Sequence, residues 1–332
     1  MADDGEPAVP VTPSTPDATP APFASYPPPS LSAAVPPPPP PPPYGWISAA
    51  AVPATAPYAF APDLPPHIRS PRPWTYARFL NGQQVAPPWK GAPLQAIDAG
   101  LDGKALRVPS WGIPDSVVSQ VLTLILTFGF GFAFYAVTSE TPLRNVIAIF
   151  ASLTLQWIIM GGWPLFVSYW RGNGPRLDYG FSFGLRDIGP GLLGAVSLLF
   201  GAGLAVAITR LIFGAFTSNA GQVVDDLSRY KVAELAFMVL GVIGAPVIEE
   251  LAFRGLMWSS LAKRGLNGWW STAITAVAFA ALHFEWVRFG VLLVAGLVLG
   301  FLRQFTGRLG PSMIAHICLN AIAFIGAGMI LF

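Results

Sequence analysis

Glu249, Glu250 and Arg254 interrupt the apolar run "GAPVIEELAFRGLMW" at residues 244–258. In a membrane-spanning helix each such side chain costs about 2.5–3.5 kcal/mol, so residues of this kind are functional candidates by default. On a helix, residues four apart share a face, and an acid preceding a base is the favourable order. Glu250 and Arg254 are therefore expected to form an ion pair. Glu249 lies about 100° further round the helix and is left to face a cavity. Downstream, two of the chain's three histidines also fall in apolar segments. His283 ends "AFAALHF", with Phe279 one turn earlier on the same face, and His316 sits in "SMIAHICLN", with Asn320 one turn later. The third, His67, lies in proline-rich sequence and reads as a solvated loop residue.

These residue types suit hydrolysis with water as the nucleophile. A carboxylate in a low-dielectric cavity makes a general base. Histidine holds or passes protons near neutrality, and an asparagine amide donates to a developing oxyanion without carrying charge. The other routes to hydrolysis or ATP-driven work have no support in the sequence. There is no HExxH helix, GxSxG elbow or GxxxxGK[ST] loop, the motifs that those mechanisms require. No pair of aspartates falls inside an apolar span, and the single Cys318 excludes a CxxC site or an internal disulfide.

Positioning these groups requires helices that bury themselves in lipid. The chain of 332 residues is 53% hydrophobic and 11% charged, against about 25% charge in soluble domains. Its net charge of +2 offers no nucleic-acid surface. Nearly charge-free stretches, each about the length that crosses a bilayer core, recur near 116–138, 144–169, 189–212, 233–258, 267–284, 289–305 and 310–331. The expected fold is thus all-α, a polytopic bundle of about seven transmembrane spans. Ahead of it, residues 1–93 hold 27 of the 35 prolines, including Pro36–Pro43. Proline fixes φ and removes a donor, so residues 1–110 are expected to form a disordered, proline-rich cytoplasmic tail ahead of a membrane domain at 111–332. Pro36–Pro43, followed by Tyr44 and Trp46, could engage a proline-binding domain, or the tail could be a plain spacer. No apolar leader opens the chain. With the amino terminus in the cytoplasm, the inside segments carry Lys104, Arg107, Arg171, Arg176, Arg186, Lys263, Arg264, Arg303 and Arg308. The outside loops carry Arg144, Arg210, Arg229, Lys231 and Arg288, a bias that favours this orientation.

Glu249-Glu250-x-x-x-Arg254, Phe279-x-x-x-His283 and His316-x-x-x-Asn320 together resemble the three motifs of the CPBP family. This is the CAAX protease and bacteriocin-processing family, also called Abi proteins, whose members are intramembrane proteases related to the eukaryotic CAAX prenyl endopeptidase. The resemblance covers about residues 180–330. It implies that Glu249 activates water, that His283 helps to hold it, and that His316 and Asn320 position the carbonyl and stabilise the oxyanion. Glu250, Arg254 and Phe279 would support the site. The family has been described as both metal-dependent and glutamate-dependent, so a zinc at Glu249, His283 and His316 stays open. The expected partners are a membrane-associated peptide or protein substrate and the bilayer, in a multi-pass protein of a bacterial cell membrane. The carboxy-terminal "GMILF" is not a CAAX box, and nothing indicates a prenylated substrate. Two other readings use the same residues: a proton-coupled transporter, since intramembrane Glu, His and Arg also build proton relays, and a non-catalytic scaffold with a recruiting tail. No inverted repeat supports the first, and the intact Glu249, His283 and His316 count against the second.

Overall fold

The structure is a computed structural model that describes residues 46–47, 79–80, 83–85, 87–141, 143–216 and 218–331. Pro36–Pro43, Tyr44 and His67 lie outside these residues. Short α1 (Leu94–Leu101) precedes the bundle, followed by α2 (Ile113–Val137) and α3 (Arg144–Arg171). One turn, α4 (Pro175–Asp178), leads into α5 (Leu185–Phe213), and α6 (Asn219–Leu227) precedes α7 (Lys231–Lys263). The chain ends in α8 (Gly268–Leu282), α9 (Phe289–Thr306) and α10 (Gly310–Leu331). Trp46–Ile47 pairs antiparallel with Leu106–Arg107, and Phe79–Leu80 with Gln83–Gln84.

Five of these helices are long and apolar enough to cross a membrane: α2, α3, α5, α7, and α9 with the short turn before it. The other two expected spans correspond to shorter apolar helices, α8 and α10 up to Phe324. Exposure runs opposite to that of a soluble protein. Leu211 is 87% exposed, whereas Glu250, Arg254 and Arg303 are sealed inside at 0%. Lipid satisfies no polar group, so such side chains must find partners within the bundle.

The helix ends follow from local sequence. Asp115 accepts the Gly112 N–H at 2.8 Å at the start of α2, and Asp187 accepts the Gly184 N–H at 2.9 Å at the start of α5. Each acid, three residues in, satisfies an orphan donor and suits the positive end of the helix dipole. Asn267 caps α8 by accepting the Trp270 N–H at 3.0 Å. Gly307 ends α9 at φ 65°, a left-handed C-cap that glycine adopts without strain.

Packing centres on α5, α8, α9 and α10, with α2 lying along α3. Helices α8 and α9 meet through Gly296 and Gly300. A Cβ on Gly296 would sit 2.8 Å from the Ala276 Cα, and one on Gly300 would sit 2.6 Å from the Thr272 Cγ2. This GxxxG spacing gives the backbone approach that small residues allow in membranes. The core it closes includes Met160, Leu198, Phe253, Phe279 and Leu299.

One end of the bundle collects the basic residues that alternating spans assign to a single side. The Lys263 ammonium bonds the Pro109 carbonyl (2.7 Å) and the Trp111 carbonyl, and lies 4.4 Å above the Trp111 ring. Arg308 pairs with Asp187 at 2.9 Å, and Arg171 pairs with Asp115. Residues 87–110, expected to belong to the disordered tail, are instead folded onto this end. Trp89, Ala92, Ala96 and Leu106 bury themselves against Leu177, and the Leu94 N–H bonds the Gly307 carbonyl at 3.1 Å. The reason is compositional. No proline lies between Pro93 and Pro109, and "LQAIDAGL" presents an apolar face that a helix can bury.

Candidate active site

The motif glutamates sit midway along α7, between two π-helical stretches at Leu240–Gly244 and Leu251–Met257. Such π turns are rare and frequent at functional sites. Pro246 lies just past the first, where it removes a helical donor. Glu250 and Arg254 do pair, with the guanidinium donating to Glu250 Oε1 at 2.8 Å and both side chains wholly buried. Arg254 also donates to the Gly296 carbonyl at 3.1 Å and lies 4.6 Å above the Phe279 ring. One cation therefore braces α7, α8 and α9 together.

Glu250 has a second partner. His316 Nδ1 lies 3.1 Å from Glu250 Oε1. Because Arg254 holds Glu250 as an acceptor, Nδ1 is the donor in this bond. The Glu250 charge thus also fixes the His316 ring, which comes from a neighbouring helix. His316 Nε2 then points at Glu249, 3.7 Å from Oε2, beyond direct hydrogen-bond reach. The Glu249 side chain is 19% exposed and that of His316 is 5% exposed. Of the two glutamates, only Glu249 has an open side.

His283 Nδ1 lies 2.6 Å from the Phe279 carbonyl. A carbonyl can only accept, so Nδ1 carries the proton and Nε2 of the neutral ring is an acceptor. Phe279 packs against His283 at 4.5 Å between ring centres and against His316 at 5.8 Å. The two imidazoles are thus no farther apart than the sum of these distances, across one aromatic ring. Asn320 donates through Nδ2 to the Gly241 carbonyl at 2.9 Å, which commits one of its two amide hydrogens.

Among the described residues no group of three His, Cys, Asp or Glu side chains converges as metal ligands. His283 and His316 each bond through Nδ1, to the Phe279 carbonyl and the Glu250 carboxylate, which leaves both Nε2 atoms open. A cleft of about 750 Å³ lies elsewhere, where α1 faces the α3–α4 turn, and is lined by Gln95, Tyr169, Arg176 and Phe181 among others. It contains none of the candidate residues.

Residues 231–322 match the family model described as type II CAAX prenyl endopeptidase Rce1-like. The chain carries an Rce1-like region. All of Glu249, Glu250, Arg254, Phe279, His283, His316 and Asn320 fall within it, on α7, α8 and α10, with His283 at the C-cap of α8. The chain is also 25% identical over 214 residues to a Bacillus subtilis (strain 168) protein named "Putative membrane peptidase YdiL", covering 62% of this chain and 82% of that one. No solved structure gives a significant match. The Rce1-like region uses two groups that sequence reasoning missed, the carbonyls of Gly241 and Gly296. Backbone acceptors carry no signal in residue type. Pro246 was the available clue to the first.

Proposed function

We propose that the chain is an intramembrane endopeptidase that hydrolyses peptide bonds of membrane-associated substrates, with Glu249 as general base. The carrying observation is the asymmetry between adjacent glutamates: Glu250 is sealed and doubly bonded, while Glu249 is partly open and faces His316 across 3.7 Å. Water beside Glu249 Oε2 donates one hydrogen to that carboxylate. Its other hydrogen goes to His283 Nε2, which the Phe279 carbonyl leaves as an acceptor. As the water oxygen attacks the scissile carbonyl, Glu249 takes the proton. Asn320, and His316 when its Nε2 is protonated, donate to the developing oxyanion. The C–N bond then breaks as Glu249 returns the proton to the leaving nitrogen. In this route Glu249 acts as the base in place of a metal-bound water. The chemistry lies in residues 111–332, and the basic end of the bundle faces the cytoplasm of a bacterial cell.

The test is cleavage of a membrane-anchored reporter peptide by purified protein. Glu249→Gln keeps the shape and removes the base, so turnover should fall by about 10²–10⁴-fold with the melting temperature nearly unchanged. EDTA should leave wild-type turnover intact. Glu249→Gln activity within about threefold of wild type, a barrier change of about 0.65 kcal/mol, would remove Glu249 from the mechanism.

A further inference from the structure

Asn320 touches a backbone group whose need for a partner can be worked out residue by residue. In the π turn Leu240–Gly244 the Ala245 N–H bonds the Leu240 carbonyl, five residues back. The next donor in that pattern, at position 246, would serve the Gly241 carbonyl, but residue 246 is proline and has no N–H. The donor four residues on, Ala245, is already used. Gly241 is thus left with a carbonyl that the helix cannot satisfy, in a segment where lipid offers nothing. The Asn320 amide reaches across from α10 and donates to it at 2.9 Å. The cost of an unpaired backbone acceptor explains why a donor is needed there. The position explains why it matters for chemistry, since Glu249 follows Pro246 by three residues on the same helix.

We infer that Asn320 is a positioning residue: it supplies the hydrogen bond that Pro246 withholds from Gly241, and so fixes the π turn that sets the direction of Glu249. This inference deepens the peptidase reading and rests on it for its catalytic consequence, though not for its structural one. It also gives the last motif a role separate from the oxyanion. One amide hydrogen holds α7, and only the other remains for substrate.

The discriminating experiment crosses Asn320→Ala with Pro246→Ala. Alanine at 246 restores an N–H that can serve Gly241. In the wild-type background Asn320→Ala should lower the detergent melting temperature by about 2–6 °C, the scale of one lost buried partner in a domain of this size. It should also reduce kcat by at least about tenfold, with a smaller change in KM. In the Pro246→Ala background the melting loss should shrink to less than about half, while the share of the kcat loss that belongs to the oxyanion contact remains. Equal melting losses in the two backgrounds would overturn the inference. If Pro246→Ala does not accumulate, Pro246→Ser supplies the same donor. Amide exchange decides independently in the single variant: residues 242–250 should exchange faster in Asn320→Ala, and unchanged exchange there overturns the inference. If wild-type protein cleaves nothing, the peptidase reading fails, while the melting and exchange measurements still decide whether Asn320 holds the turn.

Discussion

Carboxylates occupy two regions of the bundle and are treated differently in each. At the basic end, Asp178 accepts from Ser168 at 2.7 Å, from Trp111 Nε1 at 2.9 Å and from the Asn173 N–H at 3.0 Å. Asp115 and Asp187 each take a helix-start N–H and an arginine. All three of these acids hold chain segments together. Midway along α7, Glu250 is spent in the same way on Arg254 and His316, but its neighbour Glu249 meets His316 only at 3.7 Å. Water and headgroups are close to the helix ends, so charge there is cheap and can serve structure. In the bundle centre charge is expensive, and a carboxylate left without a close partner needs a use. The contrast singles out Glu249 as the carboxylate open to the proposed chemistry, since Glu250 is sealed away from any substrate.

The most severe way to break this comparison is Arg254→Ala. Removing one partner of a buried pair leaves an uncompensated charge and costs about 3–5 kcal/mol. Here the loss also frees the Gly296 carbonyl and the Glu250 carboxylate that orients His316. Stability and turnover should therefore fall together, in thermal melts and in the reporter assay. A stable but inactive Arg254→Ala protein would show that the brace is not structural.

Trp111→Ala probes the other region. Trp111 is wholly buried, packs 5.0 Å from Tyr179 between ring centres, and donates to Asp178. Truncating a buried Trp costs about 3–5 kcal/mol, and loosening the Lys263 contact is included in that loss. The contrast with Arg254 lies in activity. Per folded molecule, turnover in Trp111→Ala should stay within about twofold of wild type, since nothing at Glu249 changes. A tenfold loss at full folding would mean that the basic end is coupled to the site through α7.

How far the sequence reveals these two regions differs for a physical reason. The spacing of Glu250 and Arg254 forecasts their pairing because a contact between residues four apart is local to a helix. The seven apolar stretches forecast the bundle because hydrocarbon selects composition over about 20 residues. The placing of His316 beside both glutamates is not legible in this way. It depends on α10 crossing α7 at one depth, a tertiary fact to which motif order only points. The π turns are hidden as well: Pro246 signals a disturbed helix, but not which neighbour repairs it. The folded stretch at 87–110 was obscured by averaging, since the prolines on either side dominate the composition while Trp89, Ala96 and Leu106 quietly supply a core.

The smallest expected effect sharpens the comparison through pH. Burial raises the Asp178 carboxyl above the usual carboxylate range, against the opposing pull of its Ser168, Trp111 and Asn173 bonds. The folded state therefore holds a proton that the unfolded chain releases, over the window between the ordinary value and the raised one. By linkage, stability falls as pH rises through that window and is flat above it. Asp178→Asn removes the titration and keeps the shape, so the stability difference between wild type and variant isolates this one group. Comparing melts from about pH 4 to about pH 7, a range that starts at the ordinary carboxyl value, wild type should lose its advantage over the variant as pH rises. An advantage that widens with pH would mean that Asp178 is held as a carboxylate by its donors. The basic end would then store a stabilising negative charge, and the distinction from the mid-bundle site would rest on partner count alone.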